Sequence, residues 1–365
     1  MAEPETPESL NHEGYSRQDW INRKYIQEEE KFPQAKTFHK GLDFIEKNHQ
    51  EDDWFLQIET FDPHEPFYSS DKYKELYDHD YSRVHFDWPK YQQVEESDDV
   101  VEHIKYQYAA LLTMCDKYLG KVLDIMDKYN LWEDTMLIVT TDHGYLLGEH
   151  GWWAKCSMPF YNEIAHTPLF IWDPRCEQKG VRRDALVQTI DLAPTLLDYF
   201  SLEIPDNMEG VPLKDTIASN KQIREAALFG LFGAHVNVTD GRYVYMRAPE
   251  KPGNDPLYEY TLMPTRHGAG RAFIEPEEMT DMELVEPFSF TKGCKLLKIN
   301  TNGWHGKDYH PFGTMLFDLE NDPYQQELLQ DEETEQKMKE YIIKMLKNND
   351  APEEQFTRLG LEQVD

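Results

Sequence analysis

Residues Met136 to Val139 read MLIV, a run too short for a helix and rich in branched side chains, and they lead directly into Thr140 to Lys155, TTDHGYLLGEHGWWAK. A run of this kind predicts a strand buried on both faces, as in parallel sheets covered by helices. Asp142 and His143 then stand just past the strand's carboxyl end, where loops converge and where open α/β sheets bind ligands. An acid, an imidazole and a glycine at that position suit a metal or oxyanion site, with the glycine letting the backbone turn sharply behind the ligands. The same letters also fit an aspartate that caps a helix and a histidine in an ordinary loop.

The flanking sequence predicts a layered α/β architecture. Ser97, a capping hydroxyl, followed by Asp98 and Asp99 predicts a helix start. The helix runs to Tyr129 with Ile104, Tyr108, Leu111, Leu112, Cys115, Leu119, Val122, Leu123 and Met126 on one apolar face. Helix, short loop and buried strand is the repeat of a doubly wound sheet. Pro168 to Trp172 (PLFIW) reads as a further buried strand, and Asp191 to Phe200 as a short helix with Pro194 in its first turn. Upstream, Ala35 to Asn48 is helical in pattern and Trp54 to Ile58 (WFLQI) reads as a strand broken by Asp62-Pro63-His64-Glu65-Pro66. His64 is thereby set at another strand's end, in a loop stiffened by two prolines, although a lone loop histidine is ordinarily just solvated.

Beyond Pro212 the texture changes. Ala226 to Phe232, His235 to Thr239 and Tyr243 to Arg247 read as antiparallel strands, the last two joined at the hairpin signal Asp240-Gly241. Lys295 to Ile299 and Thr314 to Leu319 add strands to that sheet, and Glu332 to Lys347 is a final helix. Gly253 to Thr291 has no readable period. The expected organisation is an acidic, loosely ordered tail over 1–17, an α/β domain over 18–212, and a smaller antiparallel α+β subdomain over 213–365.

With 69 acidic against 37 basic residues, the formal charge of −32 excludes a nucleic-acid partner and disfavours an anionic membrane surface. An anionic ligand would need concentrated local positive charge, which a metal ion with a lysine and a histidine supplies. No segment approaches the roughly 18 apolar residues of a membrane span. Cys115, Cys156, Cys176 and Cys294 are widely spaced and read as free thiols of a reducing compartment. The opening residues carry neither a basic head nor an apolar stretch, so the expected location is cytoplasmic.

These segments together resemble the sulfatase family of the alkaline phosphatase superfamily. The resemblance rests on FLQIETFDPHEPF (55–67), YAALLTMCDKYLGKVLD (108–124), TTDHGYLLGEHGWWAK, TPLFIWDP, VQTIDLAPTLLD and LFDLENDPYQQELL (316–329), which occur in the family's order. It implies a partial doubly wound alkaline-phosphatase-like sheet with helices on both faces, and a metal-dependent hydrolase of sulfate esters acting on a sulfated small molecule or carbohydrate. Asp142 and His143 match the family's late pair of metal ligands, with calcium favoured and manganese or magnesium compatible. Lys155 matches the lysine that contacts sulfate oxygens, and His64 the histidine that faces the sulfate and donates a proton. The resemblance therefore brings residues 64, 142, 143 and 155 into one cleft. Taken alone, Lys155 reads equally as a solvated surface lysine. Glu149, His150 and His166 receive no settled role.

Other parts of the family pattern are absent. The nucleophile is a formylglycine made from C/S-x-P-x-R, whereas Cys156-Ser157-Met158-Pro159-Phe160-Tyr161 has tyrosine in place of the arginine and follows the DHG strand. Asp52-Asp53 precedes a strand and Asp98-Asp99 begins a helix, so neither supplies the early metal-binding pair. The chain thus reads as a C-terminal portion, with apolar sheet edges and faces left uncovered and independent activity in question. A phosphonate or phosphodiester hydrolase of the same superfamily, and a non-catalytic anion- or partner-binding remnant, are the competing readings. Oligomeric state is not legible.

Overall fold

The computed structural model describes residues 16–263, 274, 276, 278–303 and 306–361. Most of the expected tail, and Trp304 and His305, lie outside the described residues. Four helices come first: α1 (Ser16–Arg23), α2 (Pro33–Asn48), α3 (Asp71–Lys74) and α4 (Asp98–Tyr129). Strand β1 (Leu137–Thr140) is followed by β2 (Leu146–Leu147), β3 (Trp153–Ala154), α5 (Asn162–Ala165) and β4 (Leu169–Trp172). Helices α6 (Leu192–Tyr199) and α7 (Lys214–Ser219) precede β5 (Ala227–Gly230), β6 (Val236–Thr239), β7 (Tyr243–Arg247) and β8 (Tyr258–Thr261). Then come β9 (Glu283–Val285), β10 (Leu296–Asn300), β11 (Met315–Asp318), α8 (Glu332–Asn348) and α9 (Glu353–Arg358). The chain divides into two compact units, residues 1–137 with 145–154, and residues 138–144 with 155–365.

In the first unit α4 is the backbone of the core. Val100, Ile104, Leu111, Met114 and Tyr118 recur at spacings that hold one face inward, and they pack with Phe67, Phe86 and Trp153. Farther along, Val122 and Met126 pack with Ile45 of α2 and with Leu131. Leu112 and Leu123, expected on this face, are exposed because each lies one position off the stripe. Ser97 stands at the N-cap, yet its hydroxyl donates to Asp99 (2.6 Å) and caps no backbone amide. The helix stops at Asn130, whose φ of 56° is left-handed.

Trp54 to Ile58 is not a strand. Its residues alternate between half-buried and exposed, as an extended segment does, but no ladder partner lies beside it among the described residues. A strand exists only through its hydrogen-bonded neighbour, which composition cannot report.

In the second unit β1 pairs with β4 in a two-stranded sheet. Leu137 to Val139 are half-buried where full burial was expected, and Phe170 on β4 is 67% exposed. A sheet this narrow leaves apolar surface uncovered. A four-stranded antiparallel sheet in the order β11-β7-β6-β5 packs against α8, with Val238, Tyr245 and Leu316 meeting Met338, Ile342 and Leu346. The β6–β7 hairpin turns through Gly241, at φ 97°, and Arg242, one residue later than the Asp-Gly signal suggests. The Asp240 carboxylate accepts from the Arg242 and Tyr243 amides and so fixes the turn from its first residue. Strand β10 does not join this sheet; it is the centre of a separate three-stranded sheet, β8-β10-β9, whose two outer strands come from the stretch that has no readable period. All four cysteines are free.

Candidate metal and anion site

The turn behind Asp142 and His143 is set by Gly144. Its amide donates to the Ile164 carbonyl at 2.9 Å, and a Cβ at this position would lie 1.8 Å from the Glu163 carbonyl oxygen. Only a residue without a side chain permits that approach. The chain then passes through the β2–β3 hairpin of the first unit and returns at Lys155. Lys155 is held between two left-handed non-glycine residues, Ala154 (φ 72°) and Cys156 (φ 65°). Such residues cost about 1–2 kcal/mol each, and strain of this kind persists where surrounding structure over-determines it, characteristically at binding sites. Lys155 is 7% exposed, not the solvated surface lysine that its sequence alone also allows.

His143 Nδ1 donates to the Gly144 carbonyl at 2.9 Å, and Lys155 Nζ lies 3.3 Å from His143 Nε2. An ammonium can only donate, so Nε2 presents its lone pair and His143 is the neutral tautomer. An imidazole whose far nitrogen is tied to a backbone carbonyl while the near one offers a lone pair is arranged as metal-ligating histidines are. Asp142 Oδ2 lies 3.3 Å from the same Nε2, on a side chain that is 80% exposed. Two ligands at right angles on a cation with bonds of about 2.3 Å would be about 3.3 Å apart.

Asp142 and His143 therefore fit a divalent cation as two donors. Among the described residues no group of three or more such side chains is assembled to hold one. A cation here would draw its remaining ligands from elsewhere.

His64 belongs to the first unit. Its Nδ1 lies 2.7 Å from the Glu65 carbonyl oxygen and 3.2 Å from Glu65 Oε2, and its ring packs on Phe61 at 4.2 Å. Glu65 is buried, and its other oxygen accepts from the Tyr91 hydroxyl at 2.5 Å. Glu149 has a local structural role, accepting from the Leu147 amide. Ser157, in the S-x-P near match, is buried and accepts from Lys307 Nζ. Sequence reasoning missed Lys307 and Tyr309, because their link to the Lys155 loop spans about 150 residues and leaves no local signal.

The sulfatase family model matches residues 8–202. The chain is 28% identical over 221 residues to an arylsulfatase of Clostridium perfringens, covering 56% of this chain and 46% of that protein. It is 34% identical over 118 residues to an N-acetylglucosamine-6-O-sulfatase of Bacteroides thetaiotaomicron, covering 31% and 21%. The crystal structure of the sulfatase-like protein yidJ from Bacteroides fragilis shares the fold, with a TM-score of 0.60 at 18% identity over 89% of this chain and 61% of that one. The chain spans less than half the length of these two curated relatives. Since the family model covers more than half of the chain and includes the whole Asp142 to Lys155 segment, this chain belongs to the sulfatase family of the alkaline phosphatase superfamily.

Proposed function

We propose that this chain carries the late half of the active site of a sulfate-ester hydrolase that acts on a sulfated carbohydrate. The observation that supports it is the convergence, past the end of β1, of an Asp142 oxygen and the lone pair of His143 Nε2 with the Lys155 ammonium. Asp142 and His143 would hold a divalent cation, calcium first; when bound, it would stabilise negative charge on the sulfate oxygens. Lys155 donates to a sulfate oxygen from a buried position, where a charge-assisted hydrogen bond is strongest. A hydrogen bond from the same ammonium to the bridging ester oxygen strengthens as that leaving oxygen gains charge, so it would stabilise the transition state more than the ground state. The family resemblance gives His64 the role of proton donor to the departing alcohol. The family's formylglycine has no motif in these residues, so turnover by this chain alone is not expected.

Binding separates this reading from its competitors. Calorimetric titration of the purified chain with calcium and then inorganic sulfate should show calcium-dependent sulfate binding. Asp142→Ala should abolish the calcium effect, and Lys155→Ala should weaken sulfate binding about tenfold or more. Sulfate binding that ignores both substitutions would refute the proposal. Tighter binding of methylphosphonate than of sulfate would move the assignment to phosphorus esters.

A further inference from the structure

We propose that Lys307 and Ser157 form a second anion-binding subsite, so that the substrate is a sulfated sugar bearing another anionic group, either sulfate or carboxylate. The inference rests on the reading that Lys155 holds the sulfate ester. Residues 307–309 are fastened to the loop that carries Lys155 by two contacts. Lys307 Nζ donates to Ser157 Oγ, and the Tyr309 hydroxyl donates to the Cys156 carbonyl at 2.7 Å. Tyr309 is 1% exposed, so the fastening is anchored in the interior of the unit. Ser157 is two residues from Lys155, which keeps their Cα atoms within about 7.6 Å, the scale of one sugar ring with its substituents.

The charge environment of Lys307 is what points to a ligand. In a chain of net charge −32, Lys31, Lys47, Lys117, Lys128, Lys221, Lys337 and Lys344 each pair with a carboxylate. Lys307 is half-buried, and among the described residues its ammonium meets a hydroxyl and no carboxylate. Burial holds its pKa below the ordinary lysine value, with the nearby Cys156 thiol acting in the opposite sense. An ammonium has three N–H donors and Ser157 takes one. Its remaining N–H donors, and a charge that no carboxylate answers among the described residues, fit an anionic oxygen brought by the substrate, and a neutral sugar hydroxyl would leave that charge without a partner.

The test is ligand binding to the intact chain in calcium, by saturation-transfer NMR and calorimetry, with probes in two matched pairs. N-acetylglucosamine 6-sulfate is compared with glucosamine 2-N,6-O-disulfate, and glucose 2-sulfate with glucuronic acid 2-sulfate. At least one doubly anionic probe should bind about tenfold more tightly than its partner, and the pair that shows the gap identifies the second group as sulfate or carboxylate. Lys307→Gln should erase the gap while leaving the singly charged probes unchanged, and Lys307→Arg should keep most of it. Equal affinities within both pairs, or a gap that survives in Lys307→Gln, would overturn the subsite. A loss of all binding in Lys307→Gln, with Lys307→Arg also showing no gap, would mark Lys307 as a purely structural tie. If no probe binds the folded wild-type chain, the sulfate-binding reading fails and the subsite falls with it.

Discussion

Asp191 and Asp142 are both carboxylates in the second unit, but their surroundings differ. Asp191 is fully buried and completely answered: Arg224 grips both oxygens at 2.6 Å, and the Gln188 and Val211 amides donate at 2.7 and 2.9 Å. Asp142 projects from the end of β1 with its side chain 80% exposed, close to a histidine lone pair and its own following amide. The first arrangement leaves no capacity for a ligand. The second holds a charge in place and leaves it incompletely answered, as a cation site requires. What separates a structural carboxylate from a functional one here is how fully the protein satisfies it.

The sharpest way to break that contrast is Asp191→Ala. It strands a largely buried guanidinium and should destabilise the chain by about 3–5 kcal/mol in chemical denaturation. A loss below about 1 kcal/mol would show that the pair is not the structural lock described. The Asp191 carboxyl is raised by burial but lowered further by Arg224 and the two amides, leaving it below its ordinary value. Its contribution is thus present above the unfolded pKa and is lost as pH falls through the folded one.

Asp62 sharpens the contrast from the opposite side, since burial alone raises its carboxyl from 3.8 to about 6. The stability it allows is complete below its unfolded pKa and declines as pH rises through the folded value, so most of the loss falls between 3.8 and about 6. Asp62→Asn should therefore stabilise the chain at pH 8 by up to about 3 kcal/mol, with the gain disappearing below about pH 4 in a denaturation series. A gain that does not vary with pH would assign the effect to something other than ionisation.

Gly144→Ala comes next. The added Cβ would meet the backbone oxygen of Glu163, and repacking should cost about 1–3 kcal/mol of stability while disturbing calcium and sulfate binding. A neutral alanine would show that the turn is less constrained than its geometry indicates. The smallest effect belongs to Asp142→Ala, expected to change stability by no more than about 0.5 kcal/mol by thermal melting while removing the calcium response. A stability loss as large as that of Asp191→Ala would put the two carboxylates in one class.

The elements with strong local periodicity were legible from the residues. The 3–4 spacing along α4, the short apolar runs at β1 and β4, and the antiparallel strands after Pro212 all lie where the pattern puts them. Family membership was legible too, because it rests on motifs in order. The Trp54 to Ile58 segment was misread because alternation describes a conformation, whereas a strand also needs a partner. The exposure of Leu112 beside buried Leu111 shows the same limit at the scale of one residue.

At the site, the sequence by itself determined which groups stand after β1: an acid, an imidazole, a glycine, and a lysine twelve residues on from His143. Tertiary structure decided that Lys155 is buried, that His143 turns its Nε2 lone pair toward it, and that Lys307 reaches back to Ser157. Residue identity and local spacing are properties of neighbours along the chain. Burial, tautomer and the company a charge keeps depend on which distant segments fold against it, and no local pattern carries that information.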